Sequence, residues 1–399
     1  MSFDPKGFVE RQIEEIRQTI GDAKTLVAIS GGVDSTTSAV LTHKAIGENL
    51  ICIFLDDAFM REGEPEKVAE LLSRPPIELH VRIVNVRDRF LNALKGVRDA
   101  EEKRKAFRET FYQTLAEIAQ KEQCKFLVQG TIKADVVETV GRVKTQHNVL
   151  AQIGIKPTER FGFQVVEPLV SLYKWQVRMV ARYLGLPPEI SERQPFPGPG
   201  LAVRVVGEIR EEKLETLKKA TSVVEDLLAE HRPSQYFAAI IDNRELIERG
   251  KQLHVKELAA RGLNVPSRNV EVKIFEDRAT GVKAGRRLYG DIVAIKVFSE
   301  AEKAHEAPLN ALHSLQAKII TEMPSFTRVL YCIAEAETPK DYVIAMRAIN
   351  TRDFLTASVA EIPWQVLREA AEKILETCDD VSEVYYDVTP KPPATIEME

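Results

Sequence analysis

Apolar positions recur along the chain with two different periods. Residues 8–20 and 103–122 carry them at helical spacing, whereas Thr25–Ser30, Leu50–Asp56, Arg82–Val86, Lys125–Thr131 and Val165–Leu169 are short, nearly continuous apolar runs. Short runs alternating with helix-length segments are the pattern of a parallel sheet, buried on both faces and joined by helical crossovers. The pattern fills the first half of the chain and stops at Gln194-Pro-Phe-Pro-Gly-Pro-Gly200, where proline and glycine rule out regular structure. The reading is an α/β domain over 1–200, a parallel sheet with helices on both faces, and a second, α+β domain over 201–399.

The second half repeats itself. Gly290-Asp-Ile-Val-Ala-Ile-Lys-Val-Phe298 resembles Lys340-Asp-Tyr-Val-Ile-Ala-Met-Arg-Ala-Ile349. A helical segment follows each (Leu312–Met323, Trp364–Thr377), and then a strand (Arg328–Cys332, Glu383–Asp387). A period of about fifty residues is that of a duplicated supersecondary unit. It predicts two β-α-β copies, over about 236–335 and 336–399, pairing within one chain as a monomer rather than between chains in a homodimer.

Composition sets limits on partners and compartment. With 399 residues, one hydrophobic core is too few, which agrees with two domains. A net charge of −5 argues against a long nucleic-acid partner. No apolar run reaches membrane-spanning length, and Asp4, Glu10, Glu14 and Glu15 make the N-terminus an amphipathic helix rather than a signal peptide. The expected location is cytoplasmic. Cys52, Cys124, Cys332 and Cys378 lie far apart without a C-x-x-C pair, as buried apolar side chains would.

The chemistry is concentrated in Ser30-Gly31-Gly32-Val33-Asp34-Ser35, which follows one apolar strand and opens a helix. Glycines there let a ligand approach the backbone. The helix N-terminus offers unpaired N–H groups and a partial positive charge. Ser30 and Ser35 add hydroxyls, and Asp34 adds a carboxylate suited to Mg²⁺. Such a loop can grip a pyrophosphate. It lacks the lysine of G-x-x-x-x-G-K-[ST] and the spacing of G-x-G-x-x-G. The competing reading is a tight turn capped by Asp34. Asp56, Asp57, Gln129, Gly130, Thr131 and Asp135 fall at or just past strand ends, where a parallel α/β sheet collects its ligands.

The six-residue string resembles the signature of the ATP pyrophosphatases, which cleave ATP to AMP and pyrophosphate on an adenine nucleotide alpha hydrolase-like fold. Further segments are similar to the GMP synthase family. Gln194–Arg204 resembles its "PFPGPGL…R", Gln129-Gly-Thr-Ile-Lys-Ala-Asp135 its "QGTIYPD", and Lys391-Pro-Pro-Ala-Thr-Ile-Glu397-Met-Glu399 its "KPPATIEWE". Glu102-Lys-Arg-Lys105 and Arg347…Asp353-Phe-Leu-Thr-Ala357 match two more of its motifs. The resemblance implies adenylation of the C2 oxygen of XMP by ATP, then displacement of AMP by ammonia. It implies ATP contacts from Ser30 to Ser35, Asp56, Gly130 and Thr131, and Mg²⁺ held by Asp34. Substrate contacts are implied for Arg104, Arg204, Arg347, Lys391, Ile396 and Glu397. Asp135, Lys144 and His147 join Asp34 in the catalytic set, with Lys144 and His147 steadying the α-phosphate and Asp135 orienting the acceptor or ammonia. A lysine and a carboxylate in an exposed terminal strand also suit phosphate and polar-edge recognition.

Departures from the family cluster away from the loop. Its "SHHNVGG" reads Thr145-Gln146-His147-Asn148-Val149-Leu150-Ala151 here, and "DNGLLR" reads Asp56-Asp57-Ala58-Phe59-Met60-Arg61. Two alternatives therefore stay open in the sequence: a paralogue adenylating another purine or a tRNA base, and a regulatory protein that only binds nucleotide. No cysteine stands in a G-x-C-x-G turn, so ammonia is expected from a separate glutaminase.

Overall fold

In the computed structural model the described residues are 3–133, 135–136, 157–298, 305–352 and 354–399. The chain forms two compact units, one of residues 1–93 with 104–198, the other of 94–103 with 199–399.

The first unit runs α1 (Pro5–Ile20), β1 (Thr25–Ala28), α2 (Val33–Ile46), β2 (Leu50–Asp56), α3 (Glu64–Ser73), β3 (Val81–Asn85), α4 (Arg87–Leu94), α5 (Ala100–Glu122), β4 (Phe126–Val128), α6 (Pro157–Phe161), β5 (Gln164–Val166), α7 (Lys174–Tyr183) and α8 (Pro188–Ser191). The last residue of α4 and the first four of α5 are grouped with the second unit. Asp4 caps α1 by accepting from the Lys6 amide at 3.1 Å, and Pro5 supplies the preset first φ. All five strands are parallel, in the order β3-β2-β1-β4-β5. Alternate strand residues serve opposite faces: Val27, Cys52 and Phe54 join the layer of α1, α2, α3 and α7, while Leu26, Ile53 and Leu55 meet Tyr112, Leu115 and Ala119 of α5. Helices thus cover both faces, as expected. Strand order reverses beside β1, because the chain winds outward through β2 and β3 and then returns to β4 on the other side. A ligand crevice belongs at the carboxyl ends of β1 and β4.

The second unit carries α9 (Glu211–Leu228), β6 (Gln235–Asp242), α10 (Arg249–Leu263), β7 (Val270–Lys283), β8 (Arg286–Val297), α11 (Leu309–Glu322), β9 (Phe326–Glu335), β10 (Tyr342–Asn350), β11 (Ser358–Val359), α12 (Trp364–Thr377) and β12 (Val381–Asp387). Six long strands lie in the order β6-β10-β12-β9-β8-β7. The duplication is plain. Both α11 and α12 have 14 residues behind a proline, and their buried residues, Leu312, Leu315, Gln316 and Ile319 in one and Leu367, Ala370, Ala371 and Ile374 in the other, have identical spacing. β8 pairs parallel with β9 as β10 does with β12. Equivalent Tyr331 and Tyr386 face each other in the antiparallel β9–β12 pair, on the pseudo-two-fold axis.

Two sequence expectations change here. Asp291 pairs with Phe326 and Tyr342 with Val381, so Asp291 corresponds to Tyr342, one residue away from the alignment drawn on Gly290 and Lys340. Both strand pairs also carry a register shift at that point. The duplicated unit is also larger than a β-α-β. α9 packs on β6 and α12, and α10 on β7 and α11, so α9–β6, earliest in the chain, completes the copy made by the last residues.

Candidate active site

Within the first unit the Ser30–Ser35 segment turns from β1 into α2. Gly31 takes φ +74, and a Cβ there would stand 2.8 Å from Val68; only glycine holds that conformation in that space. Gly32 is the N-cap of α2 and has no side-chain cap bond. Asp34 is therefore not the cap, and the turn-plus-cap alternative fails. Ser35 closes the loop instead: its Oγ accepts from the Ser30 amide at 3.2 Å and lies 3.0 Å from Ser30 Oγ. Val33 and Asp34 begin the helix, so the first-turn N–H groups and the positive end of the helix dipole face the crevice.

Lys174, the first residue of α7, donates to Asp34 Oδ2 at 2.6 Å. The other carboxylate oxygen, Oδ1, is buried with no hydrogen-bond partner among the described residues. A buried, unmatched carboxylate oxygen fits a hard divalent cation. Gly130, just past β4, lies against α2: a Cβ would fall 2.6 Å from the Ser35 nitrogen and 2.7 Å from the Asp34 carbonyl carbon. Thr131 is fully buried. Burial raises the Glu167 carboxyl, the Thr131 hydroxyl bonded to it opposes this, and nearby Asp135 adds to the rise. Asp135 Oδ2 accepts from the Ile132 amide at 3.0 Å. Asp56 accepts from Ala58 N at 3.3 Å, and its neighbour Asp57 from Phe59 N at 2.9 Å. Arg104 is half-buried on α5, and Lys144 and His147 lie outside the described residues.

Sequence reasoning missed Lys174 and a buried Glu64, which accepts from Arg193 at 2.6 Å and from Arg61 at 3.2 Å. Nothing local marks either one. A lysine at a helix start and a glutamate after a glycine are ordinary surface residues until the fold brings them to the loop.

Within the second unit the segment after β12 is built into the sheet, which corrects the expectation of an exposed strand. Arg347, with no exposed side-chain surface, donates to Ile396 O at 2.8 Å, Thr395 O at 2.9 Å and Thr389 O at 2.9 Å. Arg328 donates to Glu397 O at 2.5 Å. Asp387 Oδ2 balances both guanidinium groups, at 3.0 Å from Arg328 and 2.7 Å from Arg347. Arg204 grips the Glu397 carboxylate through two nitrogens, at 2.9 and 3.2 Å, and Gln235 adds a third donor at 2.8 Å. Lys391 Nζ donates to Phe354 O. Arg204 and Arg347 are thus both bonded to the tail.

A buried ionic cluster lies beside the tail. Its cations are Lys103, Arg210 and Lys213, and its carboxylates Asp242, Asp277 and Glu399. Burial lowers the Lys213 ammonium while Asp277 and Asp242 oppose. Burial likewise raises the Glu399 carboxyl against the pull of Lys103.

An uncapped helix start after β1, closed by Ser35 at a parallel-sheet switch point, is the arrangement of a PP-loop protein, and residues 5–187 match the PP-loop domain family. Residues 336–398 match the GMP synthase C terminal domain. Over 401 residues, all of both chains, the protein is 44% identical to one of the subunits of the glutamine-hydrolyzing GMP synthase of Sulfurisphaera tokodaii. It is 42% identical to the same component of the Saccharolobus solfataricus enzyme and 40% to that of Methanopyrus kandleri, again over the whole of both chains. The chain belongs to this family of GMP synthase subunits.

Proposed function

We propose that the protein aminates XMP to GMP at the expense of ATP, as an AMP-forming carbon–nitrogen ligase. The C2 oxygen of XMP attacks the α-phosphorus of ATP and pyrophosphate leaves. Ammonia then adds at C2 and the C–O bond to AMP breaks, giving GMP. The N–H groups at the start of α2, with the Ser30 and Ser35 hydroxyls, hold the β- and γ-phosphates; Lys174 adds a cation on the same side. Asp34 would hold Mg²⁺ through Oδ1, and the ion would neutralise charge on the leaving pyrophosphate. Such a transfer needs positioning more than covalent help. Lys391 is assigned to the XMP phosphate, Glu397 and Ile396 to the polar edge of the nucleotide, and Asp135 to the acceptor or ammonia.

The observation that carries this reading is the unmatched Asp34 carboxylate oxygen beside an uncapped helix start. Ammonia is assigned to a separate glutaminase chain. All four cysteines are buried, and burial pushes the Cys52 and Cys332 thiols up to about 12 and the Cys124 and Cys378 thiols to about 11, so none is poised as a nucleophile. The test is incubation with ATP, Mg²⁺, XMP and ammonium, with GMP, AMP and pyrophosphate assayed together. Equal yields of the three are expected. Pyrophosphate release that ignores XMP, or turnover by the purified chain on glutamine alone, would reject the scheme.

A further inference from the structure

Lys103 and Glu399 are 296 positions apart and meet in the interior of the second unit, with 1% and 0% of their side chains exposed. The Lys103 ammonium donates to the Glu399 carboxylate and, at 2.7 Å, to Val205 O. Glu399 also accepts from the Gly207 amide at 2.9 Å and the Tyr289 hydroxyl at 3.2 Å, and its own amide donates to Val203 O at 3.1 Å. Gly207 cannot be replaced there, because it takes φ +76 and a Cβ would lie 2.3 Å from Asp277 Oδ1. Arg204, between two of these anchor points, makes the two-nitrogen contact to Glu397. Residues 203–207 and 397–399 therefore form a short ladder, with Glu397 held at one end by Arg204 and Glu399 fixed at the other.

An ion pair this deeply buried is costly to desolvate, and a well-packed apolar pair would stabilise the same place as well or better. Its particular return is geometry, because a carboxylate held by three donors has one position. We propose that Lys103 and Glu399 are positioning residues for XMP: by fixing the end of the ladder they set where Glu397 stands. The proposal rests on the assignment of Glu397 to the nucleotide. Neither residue touches the ligand; both act through Glu397.

The experiment is steady-state kinetics on the full chain with saturating ammonium, for wild type, Lys103→Met, Glu399→Gln and the double variant, each with a thermal melt. The single variants leave one buried group uncompensated and should melt lower. Their KM for XMP should rise about tenfold or more, as expected from a displaced contact, with KM for ATP within about twofold. The double variant removes both charges, so melting should recover while KM for XMP stays high. A KM for XMP that returns to the wild-type value along with stability, or never changes, overturns the proposal. If the lysine variants do not fold, Tyr289→Phe removes one donor to Glu399 and no charge; an unaltered KM for XMP in that protein is equally fatal. Failure of the wild type to make GMP from XMP would instead reject the assignment of the substrate, so the two failures are separable.

Discussion

Lys174 Nζ stands 2.6 Å from Asp34 Oδ2, joining the first turns of two helices whose residues are 140 positions apart. The ammonium bonds only one oxygen of that carboxylate, and Oδ1 has no hydrogen-bond partner among the described residues. One side chain thus presents a matched oxygen and an unmatched one to the same crevice.

Asp34→Asn should lower ATP-dependent pyrophosphate release by about two orders of magnitude or more, the usual size of a lost preorganised charge contact. The melting temperature should hardly move, because Lys174 can still donate to the amide oxygen. Near-wild-type release from this variant would remove Asp34 from the metal site.

Lys174→Met separates the lysine from the aspartate. If the ammonium serves the phosphates, KM for ATP should rise and turnover fall by about 10²-fold, while XMP binding in a direct titration is retained. Unchanged ATP kinetics would reduce the contact to a surface ion pair worth about 1 kcal/mol or less.

Gly130→Ala forces a Cβ to within 2.6 Å of the Ser35 nitrogen, a backbone atom that can retreat only by moving the loop. Overpacking of this sort costs about 1–3 kcal/mol, and ATP cleavage should fall with it. Gly250→Ala on α10 is the control: its Cβ meets nothing within 4 Å, so urea unfolding should show unchanged or slightly higher stability.

Asp387→Ala leaves Arg328 and Arg347 facing each other in the interior without the carboxylate they share. The expected loss is about 3–5 kcal/mol, read as a lower denaturant midpoint together with loss of XMP binding as the tail comes free. A change below about 1 kcal/mol would mean that the backbone carbonyls alone satisfy both guanidinium groups.

Assembly follows from the duplication. Both copies lie in one sheet, so each already has a partner within the chain. Light scattering at micromolar concentration should give the chain mass, 44.9 kDa; twice that mass would show that another surface dimerises.

The parallel sheet was legible because strands buried on both faces are written as unbroken apolar runs, and Leu26–Ile29 and Leu50–Leu55 are such runs. The loop was legible because its constraints are local: Gly31 needs its φ, and α2 starts just after Gly32 with no side chain capping it. What stayed hidden depends on distant partners. Lys174 and Lys103 have sequence neighbours typical of solvated lysines, and only tertiary pairing distinguishes them. Glu399 reads as a frayed end, yet it is buried by Lys103, Gly207 and Tyr289. The repeat was visible in helix spacing, but the strand alignment slipped by one residue because Asp291 and Asp341 match as letters and not in register.

The interleaving of the two copies has a consequence for the order of synthesis. β6 pairs with β10, and roughly a hundred residues separate the end of one from the start of the other. At about 5–20 residues per second, β6 leaves the ribosome roughly 5–20 s before its neighbour exists. Through that interval Phe237, Ala238, Ala239, Ile240 and Ile241, fully buried in the finished sheet, belong to a strand whose main partner is unmade. A nascent chain arrested at Asp341 should accordingly be cut by protease within 235–242, and a chain released after Asp387 should resist. Copying a unit in place has made the earliest strand of the domain wait until three others have been made.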